Sequence, residues 1–338
     1  MINVKRLEKK TISVKWIECS KNKMKDFPAR FFKCVKTALP KAGKTSLWLL
    51  KIILPVSLFV RLLQYYGVIA FLAEYLNPVF SIIGLPGETA IIFITSIFLP
   101  LYATIAVMTS LAITLREATI LTLMCLVAHN LLVECAVTKK TGSSFAGMFT
   151  LRIGMAFVIA FFLNTVMPQS DEMFGVISQP ETYSGLAQLF TSWISTSTVL
   201  IVTIVSIVTA LMIIQRLLDE YKLIGVLSRP LAPLMKFFGL PKDSPFLWIV
   251  GNVVGLAYGG AVMIDMVEEG KLSLADSNVV NYHLAISHSL LEDTILFAAL
   301  GINLWWIMGT RLLFAFIVVW SYRLIHHFSK RKQITITV

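Results

Sequence analysis

"LVAHNLLVECAV", residues 126–137, sets His129, Asn130 and Glu134 in a run otherwise made of Leu, Val, Ala and Cys. Polar and ionisable side chains are costly in apolar surroundings, so their presence asks what solvent surrounds the stretch and what the three groups face.

Composition answers the first question. The chain has 338 residues, 57% of them hydrophobic and only 14% charged, with a mean hydropathy of +0.77. That is more apolar surface than one soluble core buries, so the fold class expected is an all-α integral membrane protein. Runs of roughly 20 apolar residues suffice to cross a hydrocarbon layer about 30 Å thick as helices. Ten such spans are predicted, near 45–66, 68–83, 88–111, 117–138, 145–166, 193–215, 223–238, 245–267, 277–299 and 303–326. The second and seventh are short and contain Asn77 with Pro78 and Arg229 with Pro230, features of tilted, broken or partly inserted segments.

Charge placement orients the spans. The net charge of +11 is concentrated at the ends: residues 1–44 hold thirteen Lys or Arg against Glu8, Glu18 and Asp26. This basic segment is expected in the cytoplasm, either as a disordered tail or as a helix on anionic lipid with Phe27, Phe31, Val35 and Ala38 on one face. Its lack of an apolar core excludes a cleaved signal peptide. Arg323, His326, His327, Lys330, Arg331 and Lys332 place the other terminus on the same side. Residues 167–192 carry Asp171, Glu172 and Glu181 and no Lys or Arg, and are expected outside. An odd number of crossings in each half follows, and five spans per half satisfy it.

The halves also repeat. "RLLQYYGVI" at 61–69 matches "RLLDEYKLI" at 216–224, "GLP" at 84–86 matches 239–241, and "AVM" at 106–108 matches 261–263, all with one offset. After a four-residue insertion, "HNLLVE" at 129–134 aligns with "HSLLED" at 288–293, and Arg152 with Arg311. Duplicated units with an odd number of spans lie in opposite orientations, the inverted-repeat plan of secondary transporters, whose site lies near the midplane between repeats. The expected organisation is therefore a basic segment 1–44, a first repeat 45–166, an extracytoplasmic linker 167–192, a second repeat 193–327 and a basic tail 328–338.

Broken helices at equivalent positions are the companion signal. Pro100 interrupts "SIFLPLYATIAVM" in the third span, and Gly255 stands at the aligned place in "GNVVGLAYGGAVM", where Asn252 adds a polar group. A Pro kink or Gly-mediated helix packing without any ligand accounts for the same residues. In the fourth and ninth spans, helical spacing places Asn130 with Glu134, Ser289 with Asp293 and His288 with Glu292. These groups suit a cation, a proton relay or a polar solute. The bland readings are salt bridges from Glu134 to Arg152 and from Asp293 to Arg311 between neighbouring helices, and interhelical hydrogen bonds for the two histidines.

Other chemistry is not supported. Cys19, Cys34, Cys125 and Cys135 form no CxxC pair, and "ALPKAGKT" at 38–45 lacks the first Gly and the strand of a phosphate-binding loop. No nucleophile, base and orienter set appears, so neither an enzyme nor a cofactor is expected.

At this point "GNVVGLAYGGAVMIDM" followed by "AISHSLLEDTILFAALG" resembles the nucleoside-recognition, or Gate, domain. That domain is seen in concentrative nucleoside transporters, the membrane part of the bacterial ferrous-iron permease and bacterial spore-maturation membrane proteins. The resemblance covers roughly 45–165 and 193–326. It implies a multi-pass protein of the prokaryotic plasma membrane with two inverted Gate units. The expected function is a secondary transporter or permease for a small polar solute or cation. The competing reading is a noncatalytic membrane partner in an envelope or spore-maturation process. The expected partners are the lipid bilayer and that solute or cation, with self-association into a homo-oligomer left open and nucleic acid excluded; the identity of any metal is left open too.

Overall fold

The structure, a computed structural model, describes residues 27–175, 184–221, 229–242, 244–253 and 255–336. Most of the basic segment 1–44 and the first half of the seventh predicted span lie outside them. Among the described residues the fold is helical, with a lone antiparallel bridge between Thr114 and Met173.

The first repeat contains α1 (Phe27–Tyr65), α2 (Val68–Ile82), α3 (Ala90–Phe98), α4 (Leu101–Met108), α5 (Leu115–Ala128), α6 (Leu131–Lys140) and α7 (Phe145–Val166). The second contains α8 (Leu186–Glu220), the short α9 (Ala232–Phe237), α10 (Pro245–Val253), α11 (Leu256–Glu268), α12 (Leu274–Ser287), α13 (Leu290–Ala298) and α14 (Leu304–Ile336). Breaks recur in register. The α3 bounds return 155 residues later as α10, and both α5 and α7 begin 159 residues before α12 and α14. Even the helix starts correspond. Thr114 Oγ1 accepts the Glu117 N–H at 3.2 Å while Glu117 returns a bond to the Thr114 N–H at 2.7 Å, and Ser273 Oγ accepts the Asp276 N–H at 3.0 Å. Both are side-chain caps for donors that a helix N-terminus leaves without partners.

The long helices α1 and α8 run antiparallel. Arg30 meets Glu220 at 3.0 Å at one end, and Arg61 reaches Ser192 and Thr196 at 3.1 Å each at the other. With 39 residues, α1 is about 58 Å long at 1.5 Å per residue, well beyond a hydrocarbon layer. It passes the expected boundary at residue 44 without interruption. Its buried stripe is Cys34, Ala38, Ala42 and Ser46, one residue per turn; of the face expected on lipid, Ala38 belongs to that stripe, Phe31 and Val35 are half-buried, and the Phe27 side chain lies outside those described. The stretch 38–45 is therefore helix, not a phosphate loop.

The predicted spans differ most at the breaks. Among the described residues, four helical segments are long and apolar enough to cross a membrane: Leu115–Lys140, Phe145–Val166, Leu186–Leu218 and Leu304–His326. The pair Ala73–Ile82 and Gly87–Phe98 would make a fifth, but it is bent by 98°. The eighth predicted span does not run as one rod. A Cβ built on Gly259 of α11 would lie 3.1 Å from the Gly251 Cα of α10, whereas eight residues of straight helix separate such atoms by about 12 Å. The chain folds back at Gly255, where φ is +100°. In the first repeat α3 packs on α4 across Leu99 and Pro100, both extended with ψ of 159° and 154°. The expectation of ten crossing rods thus meets two folded-back pairs of half-helices. At 9 and 8 residues, α3 and α4 each span about 12–14 Å, too little to cross alone.

Gly255 is required twice over, by its left-handed φ and by Ser289 Oγ at 3.1 Å from a would-be Cβ. Gly255→Ala is expected to lose about 1–3 kcal/mol of stability, read as a lower melting temperature in detergent. Gly154→Ala, where nothing lies within 4 Å of the added Cβ, is expected to leave the melting temperature unchanged or slightly raised.

Candidate functional site

The fourth and ninth spans are broken at their histidines. His129 ends α5 and His288 ends α12 in extended conformation, and the next residues, Asn130 (φ 47°) and Ser289 (φ 52°), start α6 and α13 in the left-handed region. They are the only described non-glycine residues with positive φ. Such conformations persist only where surrounding contacts fix them. Here the fixing contact is a backbone hydrogen bond across to the folded-back pair: Asn130 N–H donates to the Ser96 carbonyl and Ser289 N–H to the Gly251 carbonyl, both at 2.8 Å. Ser96 lies four residues before Pro100, whose ring nitrogen has no hydrogen to give it. Gly251 stands in the same relation to Gly255. The break at each histidine therefore supplies the donor that the folded-back pair lacks.

The free carbonyls of α5 and α12 are collected by arginines. Arg152 donates through Nε to Val127 O at 2.6 Å and through Nη2 to His129 O at 3.1 Å. Arg311 donates to Ile286 O at 2.9 Å and, through Nη2, to His288 O. The remaining Nη1 of each meets a carboxylate, Arg152 on Glu134 Oε2 at 2.6 Å and Arg311 on Asp293 Oδ2 at 3.2 Å.

Between these braces the two histidines face each other. Their Nε2 atoms are 3.5 Å apart. Glu134 Oε1 lies 3.2 Å from His129 Nε2, and its Oε2 lies 3.3 Å from His288 Nε2. Each Nδ1 lies on backbone carbonyls, Cys125 and Leu126 at 3.2 and 3.1 Å for His129 and Leu284 at 2.7 Å for His288. A carbonyl only accepts, so each Nδ1 carries a hydrogen, and each Nε2 is the ring nitrogen turned towards Glu134. All three groups are buried. Glu134 Oε2 is shared between Arg152 Nη1 at 2.6 Å and His288 Nε2 at 3.3 Å.

The other expected site residues sit around this centre. Asp293, one methylene shorter than Glu134, stays on Arg311, and Glu292 Oε1 accepts from Tyr102 of α4 at 3.4 Å. Asn252 is buried just before the Gly255 turn. Its Nδ2 donates to Trp248 O at 2.8 Å, and its buried Oδ1 has no hydrogen-bond partner. Asn130 and Ser289 contribute through backbone geometry, and Pro100 and Gly255 through the turns. The sequence singled out neither Ser96 nor Tyr102, and it marked Gly251 only as one of the glycines around the second break. The roles of Ser96 and Gly251 could have been found by counting four residues back from each break, to the carbonyl left without its donor.

The bracing arginines generate a prediction. Arg152 satisfies two main-chain carbonyls as well as Glu134, so Arg152→Met should cost about 3–5 kcal/mol, as loss of a buried charge partner does. Adding Glu134→Gln should restore only part of that loss, because Val127 O and His129 O stay unpaired. Thermal unfolding of the two single variants and the double variant measures both terms.

The site's residues 129–134 and 152 fall within a stretch, 46–170, that matches the family described as nucleoside recognition, or Gate. The uncharacterised membrane protein YvoD of Bacillus subtilis (strain 168) is 34% identical over 272 residues, covering 78% of this chain and 86% of its own. No solved structure matches. On that relative and that domain match, the chain belongs to the nucleoside-recognition (Gate) family of membrane proteins.

Proposed function

We propose that the chain is a transporter or permease of the prokaryotic plasma membrane, moving a small polar solute or cation through a site between two inverted repeats. The observation that carries this is the buried meeting of His129, His288 and Glu134 at the junction of two interrupted helices, one from each repeat. Interrupted helices in equivalent places of two repeats, with ionisable groups between them, are where membrane transporters hold their substrate.

In this reading each repeat crosses three times: α1, α5 with α6, and α7, then α8, α12 with α13, and α14. The pairs α3–α4 and α10–α11 enter from opposite faces and turn back. Three crossings per repeat keep the odd parity and leave both termini cytoplasmic. Charge supports the inversion. Residues 67–98 contain Glu74 and Glu88 and no Lys or Arg, whereas the equivalent 222–253 carry Lys222, Arg229, Lys236 and Lys242 against Asp243. Homologous segments of opposite charge bias suit opposite faces of a bilayer.

Two measurements test the proposal. Gly175→Cys, in the linker, should react with an impermeant thiol reagent added outside intact cells; labelling only after permeabilisation would overturn the inverted topology. Purified protein in liposomes should take up at least one solute from a panel of divalent metals, nucleosides and organic anions. His129→Ala and His288→Ala should each lower that flux by about tenfold or more without loss of folded protein. Absence of uptake across the panel would count against transport.

A further inference from the structure

We infer that His129, His288 and Glu134 form a binding site for one divalent transition-metal ion of the zinc class. The inference deepens the transport reading above, on which it rests for calling that ion the substrate; binding itself stands on geometry alone.

The three side chains offer ligand atoms that all lie within 4.8 Å of one another. Two neutral imidazoles and a carboxylate are a borderline-soft set of the kind zinc takes. With metal–ligand bonds of about 2.0–2.1 Å, the edges of a tetrahedron are about 3.3–3.4 Å. The two Nε2 atoms are 3.5 Å apart, and each lies on its own oxygen of Glu134, His129 on Oε1 at 3.2 Å and His288 on Oε2 at 3.3 Å. The two imidazoles and the carboxylate thus stand close enough to share one ion.

The outer contacts fit too. Metal-bound histidine hands its second ring hydrogen to a backbone carbonyl or carboxylate, which fixes the tautomer and ring orientation. Both Nδ1 atoms do this, on Cys125, Leu126 and Leu284 carbonyls. A ligating carboxylate is itself held, here by Arg152 at 2.6 Å. With these hydrogens committed, the two Nε2 atoms and the Glu134 carboxylate converge on one another, an arrangement that a shared cation satisfies. Three protein ligands leave a fourth tetrahedral position open for water or for an ion in exchange, as suits a pathway more than a sealed structural site. The second repeat does not duplicate the site, since Asp293 remains on Arg311.

The test uses purified full-length protein stripped with a chelator. Equilibrium dialysis against Zn2+ should leave a single equivalent per chain, and Co2+ should bind with the intense visible bands of tetrahedral coordination. His129→Ala and His288→Ala should each weaken binding by about 100-fold or more, beyond the ~10–100-fold typical of outer partners. His326→Ala, an exposed histidine outside the cluster, should bind as wild type. Glu134→Gln should also weaken binding; if the unpaired Arg152 prevents that variant from folding, the histidine variants decide alone, because neither removes an arginine's partner. No stoichiometric metal in the wild type, or unchanged binding in both histidine variants, overturns the inference. Metal binding with no flux in liposomes would instead overturn transport while the site stands. Flux of another solute without metal binding would overturn the site and keep transport.

Discussion

The structure depends on two backbone hydrogen bonds, Asn130 N–H to Ser96 O and Ser289 N–H to Gly251 O. Inside a bilayer no water satisfies a broken helix, and each orphaned main-chain group costs several kcal/mol. A lone break near the middle of an apolar helix would therefore be strongly unfavourable. Two breaks set against each other are not, because the donor freed by one occupies the acceptor freed by the other. The pairing fixes the left-handed residues and holds each turned-back pair of half-helices against its interrupted neighbour.

The arginines complete the arrangement from the other side. A guanidinium offers several donors in a rigid fork, and Arg152 and Arg311 divide theirs between two terminal carbonyls and one carboxylate. Arginine is thus at once a cap for the end of a helix and a counter-ion. Lysine, with one ammonium on a flexible stem, cannot span the three partners together. The result is a charged centre in which main-chain carbonyls position the arginines and histidines, and the arginines hold Glu134 and Asp293.

The two repeats place the same parts at the same positions and still yield one site rather than two. Both histidines reach the shared centre, but only Glu134 follows them, since the shorter Asp293 is held at its arginine. Glu292, an additional acid in the second copy, is taken by Tyr102 of the first repeat. The pseudo-symmetry of the backbone therefore supports an asymmetric cluster of side chains.

Much of this was legible in the residues. Apolar length and charge bias indicated a membrane protein, and anchors in register exposed the duplication. The cost of burying His129, Glu134, Arg152 and their equivalents marked them out in an apolar chain. Direction was not legible. An apolar run with Pro100 or Gly255 in its middle has the same composition whether the chain continues across the membrane or turns back, and hydropathy reports length alone. Which way it goes depends on whether another segment supplies the missing donor, and that segment lies far along the chain. The left-handed turns at Asn130 and Ser289 were hidden for the same reason, since neither is a glycine and local propensity favours continuing the helix. The approach of His129 to His288 is likewise a product of packing: sequence places each in the middle of its own span, and only the docking of one repeat on the other turns both Nε2 atoms towards the same carboxylate.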